Sequence, residues 1–150
     1  MSAALGVDLG ERRIGLAIAD AGVLSVRPLT TIPRGRDIAA DAESLRPLID
    51  RYGITELVVG LPLEAAGQEG PQAGLTRAWV ADLAGTLARD VRIGFQDERL
   101  TSYLAEERLG PMPRGRSGGP PTKHQRDLYR ARVDREAAAI ILHDALENRS

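Results

Sequence analysis

Asp8 stands inside an apolar run, Ala3-Ala4-Leu5-Gly6-Val7-Asp8-Leu9, that otherwise reads as a buried strand. A lone carboxylate in that setting is costly unless a basic partner or a metal ion compensates it. Two more acidic positions break apolar sequence far downstream: Asp97-Glu98 after Val91–Phe95, and Asp134 at the head of Val133–Leu142. Three carboxylates brought together would repel one another, and a divalent cation is the natural remedy. The pattern therefore points to a divalent-cation site at Asp8, at one member of the Asp97-Glu98 pair, and at Asp134.

Composition narrows the metal. The chain has no cysteine and only two histidines, His124 and His143, which share no ligand spacing. Oxygen must be the main donor, which favours Mg²⁺ or Mn²⁺ over zinc or copper.

Each carboxylate also has a plainer reading. Asp8 could bond turn amides or pair with Arg12 or Arg13. Asp97-Glu98 could be ordinary acidity at a helix start, and Asp134 an N-cap. Alternation along the strand sets Asp97 on the face of Ile93 and Phe95 and Glu98 on the opposite face, so only one of the two points at Asp8. Asp134 shares a helix face with Ala138, Ile141 and Ala145, which turns it inward from the first turn of that helix. The combination is stronger evidence than any single member.

The elements that must position these groups follow from periodicity. Strands are expected at 3–9, 13–19 and about 26–32, joined by turns at Gly10-Glu11 and Asp20-Ala21-Gly22, with Pro28 implying an edge or a bulge. A helix over 37–52 ends at Gly53. A buried strand at 56–60 precedes a loop at 64–74, then a helix with Leu75, Trp79, Leu83 and Leu87 on one face. A strand at 91–95 leads through Asp97-Glu98 to a helix that Thr101 or Ser102 could cap, running to Leu109. Residues 110–127, rich in Pro, Gly and Arg, read as a mobile loop, and a last helix runs from about Val133 to Glu147. The order implies an α/β fold: a mixed five-stranded sheet, its first three strands antiparallel, with helices on both faces.

The chain has 150 residues, 43% hydrophobic and 27% charged, as expected of a single globular domain. No apolar stretch reaches the ~18 residues of a membrane helix, and the N-terminus lacks an export pattern, so a cytoplasmic location without membrane partners is expected. The net charge of −1 conceals an asymmetry: between Arg108 and Arg135 eight basic residues face two acids, a local +6 that leaves −7 on the rest. Such a segment suits a phosphate backbone. With 3% aromatic residues, a base-stacking platform is not expected, and Trp79 and Phe95 read as core.

Four segments carry a resemblance: GVDLGERRIGLAIAD (6–20), VVGLPLEAAGQEG (58–70), DERLTSYLAEERL (97–109) and VDREAAAIIL (133–142). In that order, over nearly the whole chain, they resemble the YqgF family, also called RuvX. The resemblance implies an RNase H-like fold over 1–150. It also implies an acidic triad of Asp8, Glu98 and Asp134 as catalytic residues and metal ligands, with Asp97 the weaker candidate. The implied activity is a hydrolase: a metal-dependent nuclease associated with maturation of the 5′ end of the small-subunit ribosomal RNA precursor. In that scheme Asp8 bridges two Mg²⁺ or Mn²⁺ ions ~4 Å apart, with Glu98 and Asp134 each completing one shell. Arg12, Arg13, Arg114, Arg116, Lys123, Arg126, Arg130 and Arg132 are the expected nucleic-acid contacts, through charge and without reading sequence. The family usually carries Asn where Glu64 follows Leu-Pro-Leu, so Glu64 receives no role.

Three competing readings share these features. A Holliday-junction resolvase would use the same triad on DNA and needs a homodimer to present two sites. An actin-like ATPase or sugar kinase also opens with Asp-x-Gly, but requires a second domain half. A non-catalytic nucleic-acid-binding or ribosome-assembly factor would keep the acids without cutting.

Overall fold

The structure is a computed structural model that describes residues 3–20 and 25–149, apart from the side chain of Arg116. The turn expected at 20–22 falls mostly outside the described residues. Strands β1 (Ala3–Leu9), β2 (Arg13–Ala19) and β3 (Val26–Pro33) form an antiparallel meander. Helix α1 (Ile38–Tyr52) leads to β4 (Ile54–Leu61), helix α2 (Pro71–Thr86) to β5 (Arg92–Asp97), and helices α3 (Thr101–Leu109) and α4 (Lys123–Glu147) follow. The sheet order is β3-β2-β1-β4-β5, with β4 and β5 parallel to β1, as the element order predicts.

Alternation divides the sheet into two unlike faces. Leu5, Val7, Ile14, Leu16, Ile18, Leu57 and Val59 pack with Leu45 and Ile49 of α1 and with Trp79, Val80 and Leu83 of α2. The opposite face presents small residues, Ala4, Gly6, Gly15, Ala17, Ala19 and Gly60, and α4 lies directly on them. A Cβ on Gly6 would stand 2.5 Å from the Ala138 carbonyl oxygen, and one on Gly15 only 2.1 Å from that of Asp134. The helix answers with its own small residues at Ala138, Ala139 and Ala145, all buried. Glycine and alanine at the points of closest approach are what permit it, with Val58, Ile141 and Leu142 filling the space between.

Three expectations need correction. Helix α4 begins at Lys123, ten residues before Val133, so the last part of the expected mobile loop, residues 123–127, is helical. Thr122 starts it with a capping box: its hydroxyl accepts from the Gln125 amide, and the Gln125 side-chain oxygen accepts from the Thr122 amide. Asp134 therefore lies mid-helix, and the N-cap reading does not apply to it. Helix α2 starts at Pro71, inside the segment read as loop, since proline suits a first helical turn. Leu75 is 63% exposed, and the buried face of α2 runs instead through Ala73, Thr76, Trp79, Val80 and Leu83. Finally, neither Thr101 nor Ser102 caps α3; Leu100 holds that position in the left-handed region, at φ 63°, and the Thr101 hydroxyl donates to the Glu98 carbonyl at 2.5 Å.

Candidate active site

Strand register brings the expected acids to one end of the small-residue face. Asp8 follows Ala4 and Gly6 at two-residue intervals, so its side chain lies on the α4 side of β1. It pairs across the ladder with Gly15, the residue against the backbone of Asp134. On the other flank Gly60 of β4 leaves room that the Glu98 carboxylate fills: a Cβ there would meet Glu98 Oε2 at 2.7 Å. The Glu98 amide extends the β4–β5 pairing by donating to the Leu61 carbonyl at 3.2 Å. Two glycines, on the strands to either side of Asp8, are what let the three acids converge.

Their electrostatics are those of acids crowded away from water. Burial pushes the Asp8 carboxyl up to about 6, partly offset by a hydrogen bond with Glu98 and reinforced by the charge of Asp134. Burial pushes Glu98 up further, to about 9, with the Asp8 charge and the Asp8 hydrogen bond adding to it. The pair thus holds a proton near neutral pH, donated from Glu98 to Asp8. Burial also raises Asp134, against the opposing effect of Arg13, whose Nε–H donates to Asp134 Oδ2 at 2.6 Å. The basic partner foreseen for Asp8 therefore serves Asp134.

Asp97 turns its carboxylate to Arg99, although its charge adds to the rise at Glu98. Burial would raise its carboxyl, but the side-chain and backbone hydrogen bonds from Arg99 outweigh that and hold it below its ordinary value. The Arg99 amide and Nε–H both donate to Asp97 at 2.9 Å. Arg99 also reaches the Ala65 carbonyl, tying the 64–69 loop to the strand end.

The expected basic contacts divide in two. Arg12 is exposed and Arg13 half-buried at the turn beside Asp8. On α4, Lys123, Arg126, Arg130 and Arg132 are exposed, as is Arg114 in the preceding loop; the Arg116 side chain lies outside the described part. Several have local partners: Lys123 with Asp127 at 3.0 Å, Arg130 with Glu106 at 3.4 Å, and Arg126 with the Pro121 carbonyl at 2.8 Å. Surface pairs of this kind are weak and exchange readily for phosphate. Glu64 packs its carboxylate against Gly70, where α2 begins.

An all-oxygen donor set that retains a proton at neutral pH suits a hard divalent cation, whose charge can take the proton's place. The donor atoms of Asp8, Glu98 and Asp134 do not all fall within 4.8 Å of one another, with Asp134 Oδ2 held on Arg13. Among the described residues only His143, Asp144 and Glu147, near the end of α4 and largely exposed, meet that spacing. Sequence reasoning missed the spacing glycines 15 and 60, although small residues at alternate positions of β1 and β2 were a readable signal of a closely packed helix.

Comparison with known proteins agrees with this architecture. The family described as "RuvX: Holliday junction resolvase" matches residues 2–148. A protein of Anaeromyxobacter sp. (strain K) named "Putative pre-16S rRNA nuclease" is 42% identical over 146 residues, covering 97% of each chain. One of the same name from Chloroflexus aggregans is 41% identical over 97% of this chain and 93% of its own. Among solved structures, Thermus thermophilus RuvC in complex with a Holliday junction substrate aligns with a TM-score of 0.53 at 14% identity, covering 99% of this chain and 96% of that one. The likeness identifies the fold as RNase H-like. No helix among the described residues is long and apolar enough to cross a membrane.

Proposed function

We propose that this chain, which belongs to the RuvX family, is a divalent-metal-dependent nuclease that cleaves phosphodiester bonds in the precursor of 16S ribosomal RNA. The observation that carries the reading is that acids from three distant elements meet at one end of the α4 face of the sheet, Glu98 bonded to Asp8 and the charge of Asp134 acting on Asp8, beside a basic helix.

Asp8, Glu98 and Asp134 are the residues that would hold Mg²⁺ or Mn²⁺. Bound there, the ions supply an activated water near neutral pH and stabilise the departing oxygen. The protein's part is positional and electrostatic. Asp8 and Glu98 surrender their shared proton and present two carboxylates. Arg13 holds one oxygen of Asp134 and leaves the other to serve as the donor. Arg12, exposed on the adjoining turn, neutralises a phosphate of the incoming strand. Arg114 and the exposed basic residues of α4 hold the flanking backbone by charge alone, so recognition depends on shape and strandedness rather than base identity.

The test is a cleavage panel in Mg²⁺ and Mn²⁺ with precursor ribosomal RNA, single strands and four-way DNA junctions, alongside Asp8→Asn. The expected result is cutting of the RNA precursor by wild type and loss of at least about a thousandfold in the variant, the scale of losing a principal electrostatic group. Persistent cutting by purified Asp8→Asn would overturn the triad. Paired nicks in four-way junctions, with the RNA left intact, would move the assignment to DNA.

A further inference from the structure

The turn that carries the site is held from beneath by residues outside the triad. Asp41, in the first turn of α1, is 2% exposed despite its acidic side chain. Its Oδ1 accepts the Gly35 amide at 2.7 Å, and its Oδ2 accepts Trp79 Nε1–H at 3.0 Å and Arg34 Nε–H at 3.2 Å. Arg34, aligned by that carboxylate, donates through Nη1 to the Gly10 carbonyl at 2.7 Å. The Arg34 amide donates to the Arg12 carbonyl at 2.8 Å, and the Gly10 amide closes the turn on the Arg13 carbonyl at 2.8 Å. The segment Gly10–Arg12, between Asp8 and Arg13, is thus bonded at both ends to one half-buried arginine, itself fixed by one buried aspartate.

A packing role alone would not require this chemistry. An apolar side chain could fill the space under the turn without the cost of burying an acid. What an arginine adds is direction, because its planar fork fixes the carbonyl it binds relative to the carboxylate behind it. The object so fixed is the hinge between the strand that presents Asp8 and the residue that holds Asp134.

We propose that Arg34 and Asp41 are positioning residues, bracing the β1–β2 turn so that Asp8 and Arg13 stand in register for catalysis. The role rests on the nuclease reading above, and the two fail separately. Arg34→Ala, Arg34→Lys and Asp41→Asn are compared with Arg89→Ala, which removes only exposed contacts, the pair with Asp50 at 2.7 Å and a bond to the Ala88 carbonyl at 2.8 Å. The readouts are kcat and KM, and hydrogen exchange of a peptide spanning residues 5–16.

Both Arg34 variants and Asp41→Asn are expected to exchange the turn amides faster. They should lose kcat by about 10- to 100-fold, the range for groups that orient metal ligands, with KM little changed. Arg34→Lys keeps a cation for Asp41 and serves where Arg34→Ala does not fold. Arg89→Ala is expected to match wild type in every readout. Folded Arg34 variants with wild-type kcat and unaltered turn exchange would overturn the brace. If wild type and Asp8→Asn are equally inert, the nuclease reading falls, and the exchange of the turn still decides whether Arg34 holds it.

Discussion

Gly15→Ala adds one methyl group to the molecule at the point where the helix and the sheet come closest. The new Cβ would lie 2.1 Å from the Asp134 carbonyl oxygen, 2.2 Å from its carbon and 2.8 Å from the Arg135 nitrogen, all backbone atoms. Ordinary contact begins near 3.4 Å, so α4 must retreat from β2 by about 1.3 Å. No side-chain rotation can absorb that, because the obstructing atoms belong to the helix itself. Overpacking of this kind costs about 3 kcal/mol or somewhat more, a fall in Tm on the order of 10 °C for a chain of this length. Asp134 moves with the helix while Asp8 stays with the sheet. A misplacement of about 1 Å at a reacting centre costs on the order of a hundredfold in rate. Thermal or denaturant unfolding measures the first effect, and single-turnover cleavage the second. Gly94→Ala on β5, where a Cβ meets nothing within 4 Å, is the matched control and should be neutral to slightly stabilising. A Gly15→Ala protein with wild-type Tm and rate would refute the close-packed geometry on which the convergence of Asp8 and Asp134 depends.

Two further outcomes follow from the structure. The folded protein holds protons on Asp8 and Glu98, raised to about 6 and about 9, that the unfolded chain releases near an ordinary carboxyl value of about 4. The metal-free protein is therefore expected to lose stability as pH rises from about 4 to about 9. Glu98→Gln should flatten that slope, and Mg²⁺ should restore stability at the alkaline end of wild type only, by taking the proton's place. A Tm profile in EDTA that rises over this interval would contradict the assignment. Leu100 combines φ 63° with 74% exposure, so it bears strain without burial to offset it. Leu100→Gly should gain about 1 kcal/mol net of the flexibility glycine brings to the unfolded chain, and a lower Tm in calorimetry would refute it.

Much of the site was legible in residue order because it depends on local geometry. The two-residue period of β5 separates Glu98 from Asp97 whatever surrounds the strand, and the same period sets Asp8 with Ala4 and Gly6 on one face. Gly53 ends α1 where the pattern ends, since a left-handed cap is a property of the backbone there. The sheet order, with its antiparallel start, follows from a short hairpin turn succeeded by helical crossovers. The start of α4 was less legible: Thr122 and Gln125 form a capping box ahead of a polar stretch whose apolar period is too weak to announce a helix.

Which charges answer one another belonged to the tertiary structure alone. Arg13 and Asp134 are 121 residues apart, and nothing in the neighbourhood of either distinguishes that partnership from the pairing of Arg13 with Asp8. Asp41 looks like an ordinary acid of a helix's first turn, and Arg34 like a surface residue, until folding sets Trp79 beside one and the Gly10 carbonyl beside the other. Periodicity tells which face a residue takes. The identity of its partner waits on which surfaces meet, and here that is decided by glycines small enough to let α4 settle onto the sheet.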